Sequence, residues 1–518
     1  MPPAAHRRGP ALLRPGVVWH SARMTTVTTR YGTVRGALTD GVARFLGIPY
    51  AASPTGPLRF GAPEPPAGWD TVRDCTAFGP TPPKPAYMAP FDTLLPEPDI
   101  PGDDWLTLNV WTADPGGRAP VMVWIHGGAF ANGNSAVAMY DGWPFARDGV
   151  VFVSLNYRLG IDGFAFLPDA PPNRGLLDQV AALEWVRDNI AAFGGDPGNV
   201  TIFGESAGAI SVTALLGMPR ARGLFGRAIA QSGAAQFAAD PADARLVTGE
   251  LSSVLGFDAT AASLAGLPLD KLITAQAMVR DAMAAAPDPA RWGASVASTS
   301  FMPFIPVVDG DVLPLHPLAA LAAGRGADVP VLTGTNTEEF RLFLVPSGFA
   351  AAITTDALPF IFGALGIGRE TAAVYQANRP TASPGDVVCA LITDQYFRHP
   401  MFAAAEARVA AGGPAPTYLY EFAWPSPVQG LGAAHSLEIP FVFDNLTSPD
   451  AQLGIGTDPP ADLAAEMHAT WIRFAASGDP GWQPFNACYP VMTFGATAGS
   501  GTVVLDPRGD ERRCWDIP

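Results

Sequence analysis

Residues 203–209 read Phe203-Gly204-Glu205-Ser206-Ala207-Gly208-Ala209, directly after the β-branched run VTI at 200–202. A serine between two glycines at the end of such a run predicts a sharp strand-to-helix turn, because the flanking positions must carry almost no side chain for the backbones to pass. The turn would expose the hydroxyl of Ser206 and place the N–H of Ala207 at a helix start, facing any oxyanion formed there. Ser206 is therefore the candidate nucleophile, against the alternative of a glycine-rich turn whose serine only caps the helix.

A second segment, VMVWIHGGAF at 121–130, is an apolar strand-like run that breaks into small residues. Small residues free backbone N–H groups, and such donors in a dry site stabilise the tetrahedral oxyanion of acyl transfer. The alternative is a plain strand-to-loop turn. We interpret His126, within this run, as structural.

The chain has seven histidines, at positions 6, 20, 126, 316, 399, 435 and 468. His435 differs from the others because it ends the small-residue loop GLGAA at 430–434 and precedes the apolar segment SLEIPFVF at 436–443. A serine nucleophile requires one base, and a loop anchored in this way can present an imidazole to it. His435 is the predicted base, against the alternative of a non-catalytic histidine.

Two glutamates follow the strand-like run VPVLTG at 329–334, in the order Thr337, Glu338, Glu339 and Phe340. Catalytic groups gather beyond the carboxyl ends of strands in open α/β sheets. The order nucleophile, acid, base also fits folds built on this kind of elbow. Composition cannot choose between Glu338 and Glu339, since either could be a solvated surface charge.

The chain resembles the type B carboxylesterase and cholinesterase family of α/β-hydrolases. The resemblance spans about 490 residues, and it rests on the elbow and on ordered motifs along the chain: GTVRG (32–36), FLGIPYA (45–51), LRF (58–60), DWLTLNV (104–110), NYRLG (156–160), NIAAFGGDP (189–197), QSG (231–233), PVVDG (306–310) and WIRFA (471–475). It implies the α/β-hydrolase fold and a serine hydrolase that cleaves carboxylic esters through an acyl-enzyme, without metal or cofactor. The implied partner is a small-molecule ester.

The resemblance also implies roles for individual residues. The family's Asp-Glu-Gly motif corresponds to Glu338, Glu339 and Phe340, which assigns the triad acid to Glu339. The family's oxyanion donors fall on Gly128, Ala129 and Ala207.

Two further acidic residues are implied to lie near the site and tune its field, namely Glu205, beside the nucleophile, and Glu438, three residues after His435. Family members with a similar small-residue oxyanion loop accept esters of tertiary alcohols. The resemblance therefore implies the same for this chain, unless the ring of Phe340 closes that space.

The chain departs from the family at two positions. Phe340 replaces a glycine, and Trp105 stands where many animal members have a cysteine, so the first family disulfide cannot form. The four cysteines, at 75, 389, 488 and 514, show no metal-ligand spacing. We expect reduced thiols, with a pair between Cys488 and Cys514 left open.

Composition excludes several classes of protein. The chain is 48% hydrophobic and 15% charged, and no apolar run approaches the ~18 residues of a membrane helix. A net charge of −16 disfavours nucleic acid, because binding phosphates requires clustered Lys and Arg. Residues 1–23 lack the continuous apolar core of a signal peptide. We therefore expect a cytoplasmic protein, with secretion as the alternative and the oligomeric state left open.

Strand-like runs alternate with helical patterns from Met24 onward, which predicts a mostly parallel sheet covered by helices on both faces. The strands are expected at 106–111, 121–126, 150–155, 200–203, 228–231, 329–334, 417–422 and 502–505, and helical spacing is clearest at 176–193 and 463–474. We predict a disordered leader over residues 1–23 and one domain over 24–518, with helical insertions near 240–301 and 340–396. The aromatic residues Phe343, Phe360 and Phe362 of the second insertion are interpreted as core, against the alternative that they line a gorge.

Two other functions stay open from sequence. The same triad could hydrolyse an amide or a carbamate, because both leaving groups depart from a tetrahedral intermediate. Some relatives in this family are binding proteins that lack the serine, but all three triad positions are filled here.

Overall fold

The structure is a computed structural model that describes residues 23–233, 235–298, 301–497 and 499–515. The predicted leader therefore lies outside the described residues, apart from Arg23, which begins the first strand.

Thirteen strands of the described chain form one twisted sheet. Their bounds are β1 Arg23–Thr29, β2 Gly32–Thr39, β3 Val42–Pro49, β4 Arg73–Asp74, β5 Thr107–Thr112, β6 Ala119–Ile125, β7 Val151–Leu155, β8 Gly195–Glu205, β9 Arg227–Gln231, β10 Val331–Asn336, β11 Thr417–Phe422, β12 Pro490–Phe494 and β13 Thr502–Leu505. Their order is β1-β2-β3-β5-β7-β6-β8-β9-β10-β11-β12-β13, with β4 beside β2. The strands from β7 through β6 to β12 run parallel, whereas the pairs at both ends of the sheet are antiparallel, apart from the parallel pair of β2 and β4.

Helices connect the strands and cover the sheet. Their bounds are α1 Trp143–Arg147, α2 Gly160–Phe164, α3 Arg174–Asn189, α4 Ala207–Gly217, α5 Pro241–Leu255, α6 Ala261–Ala265, α7 Leu269–Ala285, α8 Pro289–Trp292, α9 Ala294–Ala297, α10 Pro317–Ala322, α11 Arg341–Leu344, α12 Phe349–Ala352, α13 Leu358–Ala364, α14 Arg369–Asn378, α15 Pro384–Thr393, α16 His399–Ala410, α17 Ile439–Val442, α18 Pro449–Ile455, α19 Ala461–Ser477 and α20 Gly509–Arg513. A π-helical turn, Asp394–Arg398, joins α15 to α16.

The central strands are buried on both faces, so their apolar runs serve two cores. In β6, Val121, Val123 and Ile125 pack into one core, while Met122 and Trp124 pack into the other. This division follows from the two-residue period of a strand. The expected mostly parallel sheet covered on both faces is thereby confirmed.

Each expected strand is present: β11 and β13 have the expected bounds, and the other strands differ from expectation at one or both ends. The strand expected at 200–203 extends over all of β8, and the helix expected at 176–193 is α3 followed by a 3-10 turn, Ile190–Phe193. No bounds were expected from the sequence for β1 to β4 or for β12. β1 is mostly polar, β4 has two residues, glycines interrupt β2 and β3, and β12 begins with Pro490, so these segments lack the uninterrupted apolar run of the central strands.

The two expected insertions contain mainly helices, with α5 to α9 in the first and α11 to α15 in the second. All four cysteines are free. Among the described residues, no helix combines the length and apolarity needed to cross a membrane.

Candidate active site

Ser206 sits at the tip of the turn between β8 and α4, in a strained conformation with φ 55° and ψ −123°. The flanking glycines make this turn sterically feasible. A Cβ on Gly208 would lie 2.0 Å from the carbonyl oxygen of Ile125, and one on Gly204 would lie 2.5 Å from the same atom. The Ser206 N–H donates to the Gln231 carbonyl at 2.9 Å, which ties the elbow to β9.

The loop after β6, residues 127–133, lies beside the elbow because β6 and β8 are paired. Gly128 has φ 108° and Ala129 has φ 55°, both in the left-handed region. Within the described part of the chain, no acceptor faces the N–H of Gly128 or of Ala129. The N–H of Ala207 opens α4, where the first N–H groups of a helix have no intrahelical acceptor. Three donors are thus available beside Ser206.

His435 lies beyond the end of β11, buried among the groups of the elbow. Its Nδ1 donates to Glu339 Oε2 at 2.7 Å, and its backbone N–H donates to the Glu339 carbonyl at 3.2 Å. The other carboxylate oxygen of Glu339 accepts the N–H of Asn336 at 2.7 Å. A carboxylate held in this way selects the imidazole tautomer whose Nε2 is free of a proton.

Glu338 points away from the imidazole. Its carboxylate accepts the N–H of Ala433 at 2.9 Å, and its side chain is 41% exposed. Glu338 therefore braces the loop that carries His435 from outside, while Glu339 contacts the ring.

Glu205 and Glu438 both lie in the site, as the resemblance implied. Glu205 Oε1 is 3.1 Å from His435 Nε2 and accepts the hydroxyl of Ser436 at 2.7 Å. Glu438 accepts Nε2 of Gln231 at 3.1 Å and Nδ2 of Asn336 at 2.8 Å. Glu438 thus reaches the imidazole through its neighbours and makes no direct contact with it.

Three buried carboxylates surround one imidazole, and the pKa values of His435, Glu205 and Glu438 are shifted. Burial lowers the pKa of His435, but Glu205 and Glu339 outweigh this effect and leave the pKa above its ordinary value. Burial raises the pKa of the Glu205 carboxyl, although the nearby His435 opposes this rise. Burial and the nearby Glu339 raise the pKa of the Glu438 carboxyl. The cluster therefore retains an additional proton between His435 Nε2 and Glu205 at low pH, and the neutral imidazole with a free Nε2 forms when this proton is lost.

The raised pKa of His435 predicts how kcat/KM depends on pH. Only the neutral imidazole can take a proton from Ser206, so kcat/KM should rise as pH increases through the pKa of His435. Glu205→Gln removes a negative charge, which should lower that pKa and move the acid limb of kcat/KM to lower pH by about one unit. Glu250→Gln, which neutralises a carboxylate paired with Arg291 on the first insertion, is the control. An unmoved limb in Glu205→Gln would contradict the assignment of this limb to His435.

A cavity of about 120 Å³ opens onto Ser206 and His435. Its walls are mainly apolar, and the rings of Phe343 and Phe397 lie 5.4 and 4.9 Å from that of His435. Phe340 is 8% exposed and packs behind this wall against Phe343 and Tyr396. Its ring does not line the cavity, so the expectation that it could close the pocket directly is wrong.

The interpretation of the insertion aromatics as core holds for Phe362 alone among the three. Phe343 lines the cavity, and Phe360 is 81% exposed. Apolar residues at helical spacing predict burial, but they do not say whether the buried face meets a core or a cavity.

His126 keeps a structural position. It is buried, stacks on Tyr157 at 4.5 Å and donates from Nδ1 to the Gly127 carbonyl at 2.8 Å. Burial lowers the pKa of His126 to about 4. A neutral ring therefore supports the start of the 127–133 loop.

The structure brings all the predicted site residues together around one cavity or its immediate shell, and their catalytic roles stay predictions. Sequence reading missed Asn336, Gln231 and Glu97, which hold these residues in place. Gln231 belongs to the motif QSG, which was recognised in the sequence, whereas Glu97 lies in no motif that could have identified it. Among the residues described, no group of three or more His, Cys, Asp or Glu side chains is arranged to hold a metal ion.

The chain matches a family model, curated relatives and solved structures over most of its length. Residues 23–498 match the sequence model of the carboxylesterase family. The chain is 40% identical to the para-nitrobenzyl esterase of Bacillus subtilis over 472 residues, covering 89% of this chain and 91% of that protein. It is 35% identical to the phenmedipham hydrolase of Pseudarthrobacter oxydans, with 90% and 93% covered. The crystal structure of the Geobacillus stearothermophilus carboxylesterase at pH 6.2 superposes with a TM-score of 0.80 at 37% identity, covering 95% of this chain and all of that one.

The fold is that of an α/β-hydrolase, and the class of reaction is the cleavage of carboxylic esters by a serine hydrolase. The chain belongs to the carboxylesterase family. The resemblance seen in the sequence is thereby confirmed for family, fold and class of reaction.

Proposed function

We propose that Ser206, His435 and Glu339 hydrolyse small, largely apolar carboxylic esters through an acyl-enzyme. The observation that carries this proposal is the 2.7 Å contact between His435 Nδ1 and Glu339 Oε2 beside Ser206 in an apolar cavity. Such a pair orients an imidazole as the base for a serine hydroxyl.

In the first half of the reaction, Oγ of Ser206 attacks the ester carbonyl carbon while Nε2 of His435 takes its proton. The carbonyl π electrons move to oxygen, and the N–H groups of Gly128, Ala129 and Ala207 hold this oxyanion. The imidazolium is stabilised by the carboxylates of Glu339 and Glu205. Collapse of the intermediate breaks the bond to the alcohol oxygen, which takes the proton from Nε2 and leaves the acyl group on Ser206.

In the second half of the reaction, water attacks the acyl-enzyme through the same steps. His435 removes a proton from water as its oxygen attacks the acyl carbon, and the second intermediate expels Oγ of Ser206. Nε2 returns the proton to Oγ, so the carboxylic acid leaves and the free enzyme is restored. No step requires a metal or cofactor.

The apolar walls favour uncharged acyl and alcohol groups, because a charged group would lose its hydration without a partner. Purified protein should hydrolyse short p-nitrophenyl esters well above the Ser206→Ala variant. kcat/KM across a series of acyl chains should fall where the chain outgrows the cavity. Faster cleavage of a matched anilide than of the ester would instead favour an amide or carbamate hydrolase.

Esters of tertiary alcohols are a specific prediction for this pocket. The proposed oxyanion loop carries no side chain at Gly127 and Gly128 and a methyl group at Ala129, which leaves room for a quaternary carbon on the alcohol side. We expect tert-butyl acetate to be hydrolysed measurably above the Ser206→Ala blank.

The result that would contradict this expectation is no turnover of tert-butyl acetate where n-butyl acetate is cleaved readily. The matched variant is then Phe343→Ala, since Phe343 lines the cavity while Phe340 lies behind it. Restored turnover would identify the Phe343 ring as the obstacle.

A cytoplasmic location and the absence of nucleic-acid and membrane partners also remain proposals. They rest on the net charge of −16 and on the composition of the chain.

A further inference from the structure

The loop 127–133 needs external support to keep its shape. Gly128, Ala129, Phe130 and Gly133 all have φ between 55° and 108°. Residues with a Cβ seldom adopt this region, and such strain persists only where the surroundings enforce it. One side of the loop is held by the core, because Phe130 is buried against Phe164 and its carbonyl accepts the N–H of Gly160 at 2.7 Å.

The orientation of one proposed oxyanion donor depends on Asn132. The carbonyl of Gly128 accepts the N–H of Asn132 at 2.8 Å and that of Ala131 at 3.0 Å. This carbonyl belongs to the same planar peptide as the N–H of Ala129, and the two groups point in opposite directions. Because the Gly128 carbonyl points toward the N–H of Asn132, the N–H of Ala129 points away from Asn132.

A single carboxylate holds the far end of this loop. Glu97 accepts the N–H of Gly133 through Oε1 and Nδ2 of Asn132 through Oε2, the latter at 3.3 Å. Asn132 Nδ2 also donates to the Pro85 carbonyl at 2.6 Å. Gly133 packs closely on the start of the loop, since a Cβ there would lie 2.3 Å from the Gly127 carbonyl.

Glu97 is half-buried and lines the same cavity as Ser206. Burial raises the pKa of its carboxyl, while Lys84, which donates to the Pro98 carbonyl at 3.4 Å, opposes this rise. A carboxylate in this position loses hydration, and its hydrogen bonds to the loop offset that loss.

We propose that Glu97 is a positioning residue for the oxyanion loop, acting through Asn132 and Gly133 on the peptide that joins Gly128 to Ala129. The proposal rests on the proposed function, because it assigns Glu97 a part in the same reaction. Without Glu97 the peptide can rotate, and the Ala129 N–H leaves the position where negative charge develops. The interaction acts in the transition state, so kcat should fall while ground-state binding stays unchanged.

The test compares Glu97→Ala and Glu97→Gln with Asp99→Asn. Asp99 is an exposed carboxylate two residues further on, hydrogen-bonded to Thr81 Oγ1 at 3.4 Å. Active sites are first counted by organophosphate titration, so that misfolded protein does not enter kcat. We expect Glu97→Ala to lower kcat about 10²-fold with little change in KM. Glu97→Gln, which keeps an acceptor for Gly133, should lose less, and Asp99→Asn should match the wild type.

The affinities for two inhibitors distinguish a positioning role of Glu97 from a merely structural one. A trifluoromethyl ketone forms a hemiketal with Ser206 and needs the oxyanion donors, whereas the methyl ketone of the same chain fills only the cavity. In Glu97→Ala, affinity for the trifluoromethyl ketone should fall by the same factor as kcat, with methyl ketone affinity unchanged. Asn132→Ala should give a smaller loss, and its effect should not add to that of Glu97→Ala.

Unchanged kcat per active site in Glu97→Ala would overturn the proposal, as would an equal loss of affinity for both ketones. If Glu97→Ala does not fold, Glu97→Gln and Asn132→Ala are measured in its place. Unchanged kcat in both of these variants would also overturn the proposal. Failure of the proposed function itself is distinguishable, because Ser206→Ala would then keep its turnover.

Discussion

Ser206→Ala should abolish esterase activity, with a loss of kcat/KM on the order of 10⁴-fold or more. Removing Oγ leaves no atom to form the acyl-enzyme, so only the binding and oxyanion groups remain. The fold should be unaffected, because the Ser206 N–H still donates to the Gln231 carbonyl and the methyl group of alanine needs less room than the serine side chain. Initial rates on p-nitrophenyl acetate, with melting temperature as the check on folding, measure the effect.

Ser232 provides a matched control for this prediction. It is fully buried, lines the same cavity and also has a positive φ, 50°. An organophosphate should label Ser206 and leave Ser232 unmodified in peptide mass analysis, and Ser232→Ala should keep most of the activity. Label on Ser232, or turnover that survives in Ser206→Ala, would show that another group is the nucleophile.

Glu339→Gln is expected to be the second most severe change, lowering kcat by about 10³-fold or more. The glutamine amide carries no charge to stabilise the imidazolium. If its NH₂ faces Nδ1, it also favours the tautomer whose Nε2 is protonated and cannot act as a base. Single-turnover rates of acylation, measured by the burst of p-nitrophenol, would report this step directly.

Glu338→Gln is the matched control, because it makes the same chemical change one residue away. Its amide oxygen can still accept the N–H of Ala433, and the side chain is 41% exposed. We expect the loss to stay within about tenfold. Equal losses in the two variants would mean that the acid loop acts as one unit and that Glu339 has no separate part in orienting His435.

The elements predictable from sequence are those whose constraint is local. Gly204 and Gly208 are required because any side chain there would clash with the Ile125 carbonyl. This requirement can be recognised in the sequence as the pair of glycines that flank Ser206. The apolar runs of the central strands are likewise local signals. β2, β3 and β12 were not named, because glycines within β2 and β3 and the proline that begins β12 interrupt their apolar runs.

The sequence by itself thus determined the family, the strand-to-helix elbow at Ser206 and the candidate base and acids, since each depends on residues close together in the chain. The family resemblance had pointed to Glu339, and the tertiary structure places its carboxylate against His435. Only the tertiary structure decided which ring lines the cavity and what holds the oxyanion loop. These contacts join residues between 35 and 96 positions apart. They exist because parallel strands β8, β10 and β11 bring their carboxyl ends to one edge of the sheet. They also exist because Pro85 and Glu97 contact the loop after β6. Separation along the chain carries no information about such pairings, so Glu97 could be found only once the fold had placed it against Gly133.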